Sequence, residues 1–270
     1  MPDAFFESDG EAFVPTELTR GPWDPDAQHA GPPAALLGRE IERRASTGGP
    51  ALVGRVTCEI LRSVPLAPLT PTTTVLRPGR RVELVESRLN DADGEVMRAT
   101  AWLLRHEPVE IPPGLIPDRA PPGPDTGEAK DFFDAGRGVG YHTGMEHRFV
   151  SGAFLDPGPA TVWMRMRSPL LAGEEPSPLQ RVLIAADSGN GVSATLDWRR
   201  YLFINVDLTV QLHRLPDGEW VCLDAITRPE PSGVGLSDTA LYDERGPIGR
   251  ATQTLLVGER CLTQTWSAPA

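Results

Sequence analysis

The chain has 270 residues and a mass of 29.2 kDa, with 40% hydrophobic and 23% charged residues, enough for a real core in one large domain or two of ordinary size. Its 26 Lys and Arg stand against 37 Asp and Glu, a formal net charge of −11; such a surface repels phosphate backbones, and nucleic-acid binding is not expected. With no run of 18 apolar residues and no basic-then-apolar leader in Met1–Glu7, neither a membrane span nor a signal peptide is expected, and the reading is a soluble cytoplasmic protein.

The first periodic segment runs from His29 to Arg44. Pro32 and Pro33 suit a first helical turn, Leu37 and Ile41 share a face, and Arg43 and Arg44 complement the dipole at the end. Strand-like runs follow at Leu52–Leu61, Thr72–Leu76, Arg81–Leu89 and Val96–Leu104. The stretch from Pro108 to Gly127 is the richest in Pro and Gly and reads as an extended linker.

A repeat crosses that linker. Arg98-Ala99-Thr100 followed by Leu103-Leu104 recurs as Arg250-Ala251-Thr252 followed by Leu255-Leu256, and both copies follow an acidic, Gly-containing turn. The second half shows the same order of elements. Ser177 and Pro178 read as N-cap and first helical residue, and Leu179, Val182, Leu183 and Ala186 form an amphipathic face. Asp187-Ser188-Gly189-Asn190-Gly191 breaks the pattern, and a second short apolar run goes from Val192 to Trp198. Strand-like runs follow at Tyr201–Leu212, Trp220–Thr227, Val234–Tyr242 and Ile248–Val257, with two more ahead of the helix at Glu146–Val150 and Thr161–Arg167. The expected fold class is α+β, with each half a helix wrapped by an antiparallel sheet, a double hot dog; a generic α+β sandwich is the rival. The expected division is an N-terminal module over 1–107, a linker over 108–139 and a C-terminal module over 140–270.

Several chemistries are disfavoured. Lys130 is the only lysine and lies in polar surroundings, which argues against Schiff-base catalysis. Cys58, Cys222 and Cys261 form no paired motif, so no disulfide framework or zinc site is suggested, and Cys58 and Cys222 read as buried small hydrophobes. No Gly-x-Ser-x-Gly elbow occurs, Gly136, Gly138 and Gly140 lack the dinucleotide spacing, and His29, His106, His142, His147 and His213 make no metal set; His142 and His147 read as solvated. No metal and no cofactor are expected.

Asp187, at the end of an apolar helix, is either a helix-end acceptor or a placed base. Gln253 stands where the first copy has Ala101, an amide replacing a methyl, and reads as either a solvent-facing or a site residue. Asn205, Asp207 and Thr209 share one face of a strand by the period of two, a pattern that usually marks a wet face. His29 is the counterpart of Asp187 if the helices align, and it is a base, a substrate contact or a helix-start residue. Asp24, five residues before His29, suggests a hydratase-like pair.

The stretches Trp23–Glu42, Ala186–Ser193, Asn205–Val210 and Gly246–Leu256 resemble those of double-hot-dog, type II acyl-CoA thioesterases of the kind common in actinobacteria, over nearly the whole chain. The resemblance implies hydrolysis of an acyl-CoA thioester without a covalent intermediate. It places the base on Asp187, with Asn205 (where the family pattern has Thr or Ser) and Gln253 holding the water. It also sets His29, Gly31 and Gly189 on the substrate side, with an N–H near Gly31 supporting the oxyanion. Its alternatives are an enoyl-CoA hydratase using Asp24 and His29, or a non-catalytic acyl-CoA binding protein. Arg43, Arg44, Arg62, Arg77, Arg80 and Arg81 are candidates for the CoA phosphates, and a homodimer or higher homo-oligomer is expected by analogy.

Overall fold

A computed structural model describes residues 2–45, 51–105, 108–112, 114, 120–132 and 138–260. His106, Gly136 and Cys261 lie outside the described residues, as does part of the expected linker.

The first half opens with a short hairpin, β1 (Phe6–Asp9) and β2 (Ala12–Pro15), and a 3₁₀ turn at Glu17–Thr19. Helix α1 (Gly31–Ala45) follows, and then β3 (Leu52–Ile60), β4 (Thr70–Arg77), β5 (Val82–Asp91) and β6 (Gly94–Leu104). The second half contains a single turn of helix, α2 (Tyr141–Gly144), then β7 (Met145–Ala153) and β8 (Asp156–Met166). Next come α3 (Pro178–Ala186), α4 (Gly189–Val192), β9 (Tyr201–Asn205), β10 (Asp207–Leu212), β11 (Val221–Pro229), β12 (Val234–Asp243) and β13 (Gly246–Glu259). All expected helices and strands are present, except that the run 201–212 is broken at Val206 and the apolar run after Val192 forms neither helix nor strand. Ser177 caps α3 by accepting from Gln180 N at 3.2 Å.

The two halves share one antiparallel sheet in the order β4-β5-β6-β3-β10-β13-β12-β11-β8-β7, with β9 also pairing β13. The halves meet along β3 and β10, where Thr57 sits opposite Thr209 and their hydroxyls lie 3.2 Å apart. These residues are 152 apart in sequence, the same offset as between the two Arg-Ala-Thr motifs. The offset holds across the sheet. Thr57 pairs Thr100 as Thr209 pairs Thr252, and Thr100 pairs Glu86 as Thr252 pairs Asp238. Two irregularities also repeat: the bulge at Gly54 corresponds to the break at Val206, and the register shift at Leu89/Asn90 corresponds to that at Leu241/Tyr242. A pseudo-two-fold axis therefore passes between Thr57 and Thr209.

Each helix lies against its own half of the sheet, and α1 packs directly on α3. Leu36, Leu37 and Ile41 of α1, Leu179, Val182 and Leu183 of α3, and Val56, Val85, Leu208 and Leu223 of the strands form one continuous core across both halves. Burial of such side chains contributes about 1.5–3 kcal/mol each. Two glycines set how closely the helices approach. A Cβ on Gly38 would overlap Leu183 Cδ1, and one on Gly31 would sit 2.6 Å from the Ile184 carbonyl oxygen.

The Pro/Gly-rich segment is anchored where it meets the second half. Pro122 O accepts from Trp163 Nε1 at 2.7 Å, and Glu128 exchanges backbone hydrogen bonds with Phe149 on the free edge of β7. This covers part of an edge strand that would otherwise offer unpaired groups. Cys58 and Cys222 are buried free thiols whose pKa values burial pushes well above the ordinary range. His142 and His147 depart from the sequence expectation. His142 stacks on Phe132 at 4.6 Å, His147 meets the edge of Phe154 at 5.1 Å, and burial lowers the pKa of both, that of His147 to about 3.

Candidate active site

The apolar run Val182–Ala186 buries α3 to its last turn, so the next residue is delivered into the interior. That residue is Asp187, 3% exposed, in the bend between α3 and α4. A buried carboxylate requires hydrogen-bond donors; two side-chain amides supply them, and His29 lies within reach. Asn205 Nδ2 donates to Asp187 Oδ1 at 2.9 Å. Gln253 Nε2 lies 3.3 Å from the same oxygen and 3.1 Å from the Asp187 carbonyl oxygen. His29 Nδ1 lies 3.0 Å from Asp187 Oδ2.

Each of the three reaches the carboxylate through a local feature of the chain. Asn205 ends β9 at the break before Asp207, which turns its side chain toward α3 while Asp207 Oδ1 accepts from Thr254 N at 2.6 Å. The Asn205–Asp207–Thr209 face expected from simple alternation is therefore split. Gln253 is 1% exposed on β13, and its Oε1 accepts from Asn190 N at 3.0 Å. His29 precedes α1, and its ring stacks on Tyr141 with centroids 3.7 Å apart and planes within 6°. The Tyr141 hydroxyl donates to Ile184 O at 2.7 Å and lies 2.9 Å from Ser188 Oγ. Burial, outweighing the Ser188 contact, raises its pKa far above the phenol range, so it remains a neutral donor.

His29 Nδ1 also lies 3.1 Å from the Gly31 amide nitrogen. A single ring nitrogen either accepts from that N–H or, when protonated, donates to Asp187, never both at once. His29 and Asp187 do not occupy equivalent places relative to their helices. His29 stands ahead of its helix, whereas Asp187 follows the last residue of its own.

A cleft of about 820 Å³ opens onto this cluster. Asp187, Asn190, Asn205 and His29 line it, with Trp23, Ile60, Val64, Leu202 and Ile204 supplying apolar wall. Gln253, Gly31 and Gly189 do not line it. Both amide hydrogens of Gln253 are directed at Asp187, and of the two residues expected to hold water only Asn205 lines the cleft. Gly189 permits close approach: a Cβ there would lie 2.6 Å from Thr239 Oγ1 and 3.0 Å from Gln253 Oε1. The Gly31 N–H is directed at His29 rather than at the cleft. Asp24 lines the cleft, but its Oδ1 accepts from Asp26 N at 2.9 Å, and the hydratase-like pairing with His29 is not formed. Of the arginines proposed for CoA, only Arg62 is at the cleft, 2.5 Å from Asp91. Sequence reasoning missed Tyr141 and Arg260, which carry no motif and approach the site only through the tertiary fold, and it gave no role to Asn190 within the break after Asp187. Among the described residues, no group of three or more His, Cys, Asp or Glu could hold a metal ion, and no helix is long and apolar enough to cross a membrane.

Comparisons with known proteins agree with this architecture. The family model for the acyl-CoA thioesterase N-terminal domain matches residues 19–104, and that for the C-terminal domain matches 117–257. Among solved structures, the chain resembles a proposed thioesterase II from Thermobifida fusca at 18% identity and a TM-score of 0.72, covering 93% of this chain and 94% of that one. It resembles the acyl-CoA thioesterase II TesB2 from Mycobacterium marinum at 16% identity and a TM-score of 0.65, covering 94% and 96%. A hot-dog protein from Alicyclobacillus acidocaldarius matches at 17% identity and 0.65, covering 96% and 97%. No curated protein matches the chain. Two domain models spanning most of its length, on a double hot-dog fold, show that the chain belongs to the acyl-CoA thioesterase family and is a thioester hydrolase.

Proposed function

We propose that the protein hydrolyses an acyl-CoA thioester with a water activated by Asp187. The observation that carries this reading is a carboxylate 3% exposed that nonetheless lines the cleft, with side-chain amides donating to Oδ1 and His29 Nδ1 3.0 Å from Oδ2. A carboxylate offers about four acceptor sites. Asn205 and Gln253 occupy Oδ1, and His29 occupies one site of Oδ2, which leaves one on Oδ2 for a water proton. Asn205 Oδ1 is available for the second proton, because the Asn205 amide nitrogen serves Asp187 and the Asp207 carbonyl.

The water oxygen forms a bond to the thioester carbon as its proton passes to Asp187. Collapse of the tetrahedral intermediate breaks the C–S bond, and the proton returns to the departing thiolate. Ala30 lines the cleft just ahead of α1, and its N–H has no hydrogen-bond partner among the described residues. Together with the helix dipole it supports the developing oxyanion. The apolar wall receives the acyl and pantetheine portions.

The test is Asp187→Asn in purified, folded protein, assayed on acyl-CoAs of several lengths. Loss of a general base lowers turnover by roughly 100-fold or more. Full hydrolysis by this variant across the panel would refute the role.

A further inference from the structure

The cleft has a second end, and its chemistry is different. Arg260 lines it, with Nε donating to Trp198 O at 2.8 Å and the guanidinium 5.4 Å from the Trp23 ring centroid. Trp23 is itself held edge-on by Phe203 at 4.8 Å. Neither terminal nitrogen of Arg260 has a hydrogen-bond partner, and no carboxylate lies within ion-pair distance, among the described residues. Burial pushes the Arg260 pKa below its ordinary value with no acid to oppose it, which is the signature of an uncompensated cation. Two more arginines flank it. Arg260 N donates to Arg200 O at 2.8 Å, Arg200 lies over Tyr201, and Arg199 lies over Trp198. Among the described residues Arg260 has no ion pair and is the one of the three that lines this cleft, while Arg199 and Arg200 lie beside it outside the cleft; in a chain of net charge −11 such a cation favours an anionic ligand.

The spacing identifies which anion. Strand β9 leads from this group to Asn205, the residue that holds Asp187. The five residues from Arg200 to Asn205 advance about 17 Å at roughly 3.3 Å each. A pantetheine arm has about thirteen bonds between the thioester sulfur and the first phosphorus, which spans about 15 Å at the advance per bond of an extended chain. Leu202 and Ile204 line the cleft between the two ends. An arm whose thioester lies at Asp187 therefore brings its phosphate to the arginines.

We propose that Arg260, flanked by Arg199 and Arg200, binds the phosphate at the distal end of the pantetheine arm. This rests on the reading of Asp187 as the reacting end. The same phosphate occurs in CoA and in the prosthetic arm of an acyl carrier protein. Arg260 is the principal contact because, of the three, it alone lines the cleft, and Arg62 contributes little because Asp91 neutralises it.

The test is equilibrium binding of CoA, 4′-phosphopantetheine and pantetheine to the full chain by calorimetry. Arg260→Gln should weaken CoA and 4′-phosphopantetheine about tenfold or more, the loss of a charge-assisted hydrogen bond, and leave pantetheine unchanged. Arg260→Lys should restore part of the affinity. Tighter binding of CoA than of 4′-phosphopantetheine assigns the free coenzyme, and equal binding assigns the carrier-borne arm; both support the phosphate site. Equal weakening of pantetheine and CoA, or no change for CoA, overturns it. If Arg260→Gln does not fold, Arg199→Gln/Arg200→Gln carries the same comparison. Because no turnover is required, the two readings fail separately. Hydrolysis surviving in Asp187→Asn removes the base, whereas CoA binding indifferent to these arginines removes the phosphate site.

Discussion

Gln253→Glu tests the site with the smallest change of shape. The side chain keeps its size and still accepts from Asn190 N, but a carboxylate now lies where an amide nitrogen was 3.3 Å from Asp187 Oδ1. Two unit charges at that distance repel by about 5 kcal/mol at an effective dielectric of 20. Keeping a carboxyl of ordinary pKa about 4.3 protonated at pH 7 costs about 3.7 kcal/mol. The second figure is smaller, so the pair retains one proton, and the protonated Glu donates to Asp187 much as Gln253 does. The expected loss of stability relative to wild type is thus about 3.7 kcal/mol at pH 7 and about 1 kcal/mol at pH 5, changing by about 1.4 kcal/mol per unit. Urea unfolding of both proteins at pH 5, 6 and 7 measures the difference. A deficit that does not change with pH, or no deficit, would refute the contact between Gln253 and the Asp187 carboxylate.

Two further tests concern packing and buried charge. At Gly31 an added methyl meets the backbone oxygen of Ile184, which cannot rotate away, so Gly31→Ala should lower stability by about 1–3 kcal/mol and reduce turnover by displacing His29. At Gly38 it meets only the end of the Leu183 side chain, and the helix-propensity gain of up to about 1 kcal/mol offsets the rearrangement. Gly38→Ala should therefore melt close to wild type, and equal losses in both variants would contradict the packing described. His147 has a folded pKa of about 3 because it is buried, and its Nε2 has no hydrogen-bond partner. The unfolded chain takes up that proton near pH 6.5, so stability declines as pH falls from there toward 3, by about 1.4 kcal/mol per unit. His147→Phe should flatten that part of the stability profile, and an unchanged slope would show that another group is responsible.

The sheet was legible because its information is local. Alternation and turn residues mark each strand, and the recurrence of Arg-Ala-Thr already carried the offset that relates β3, β5 and β6 to β10, β12 and β13. The replacement of Ala101 by Gln253 was legible for the same reason, since it compares two positions in one repeat. What could not be read lies between the halves. His29 reaches Asp187 only because α1 packs on α3 through Gly31 and Gly38, and nothing near His29 in sequence specifies that contact. The expected match of His29 to Asp187 assumed continuous helices, whereas the second helix ends at Asp187 and restarts at Gly189. Alternation along 201–212 also misled, because a break at one residue reverses every side chain beyond it. His142 and His147 were misread because their polar neighbours in sequence are not their neighbours in space.

The axis between Thr57 and Thr209 has a consequence for how this chain could change over time. In a dimer of identical modules, every substitution appears twice, and a residue suited to chemistry in one cleft must be tolerated in the other. Joining the modules in one chain removes that constraint. At positions equivalent to Asn205 and Gln253, the first half has Val53 and Ala101, both buried in the core. One copy thus has apolar side chains at these positions, and the other places polar groups that are costly to bury around a carboxylate. The first copy is left free to evolve as a buttress, accumulating substitutions that stiffen α1 and its strands, while selection for turnover acts on the second.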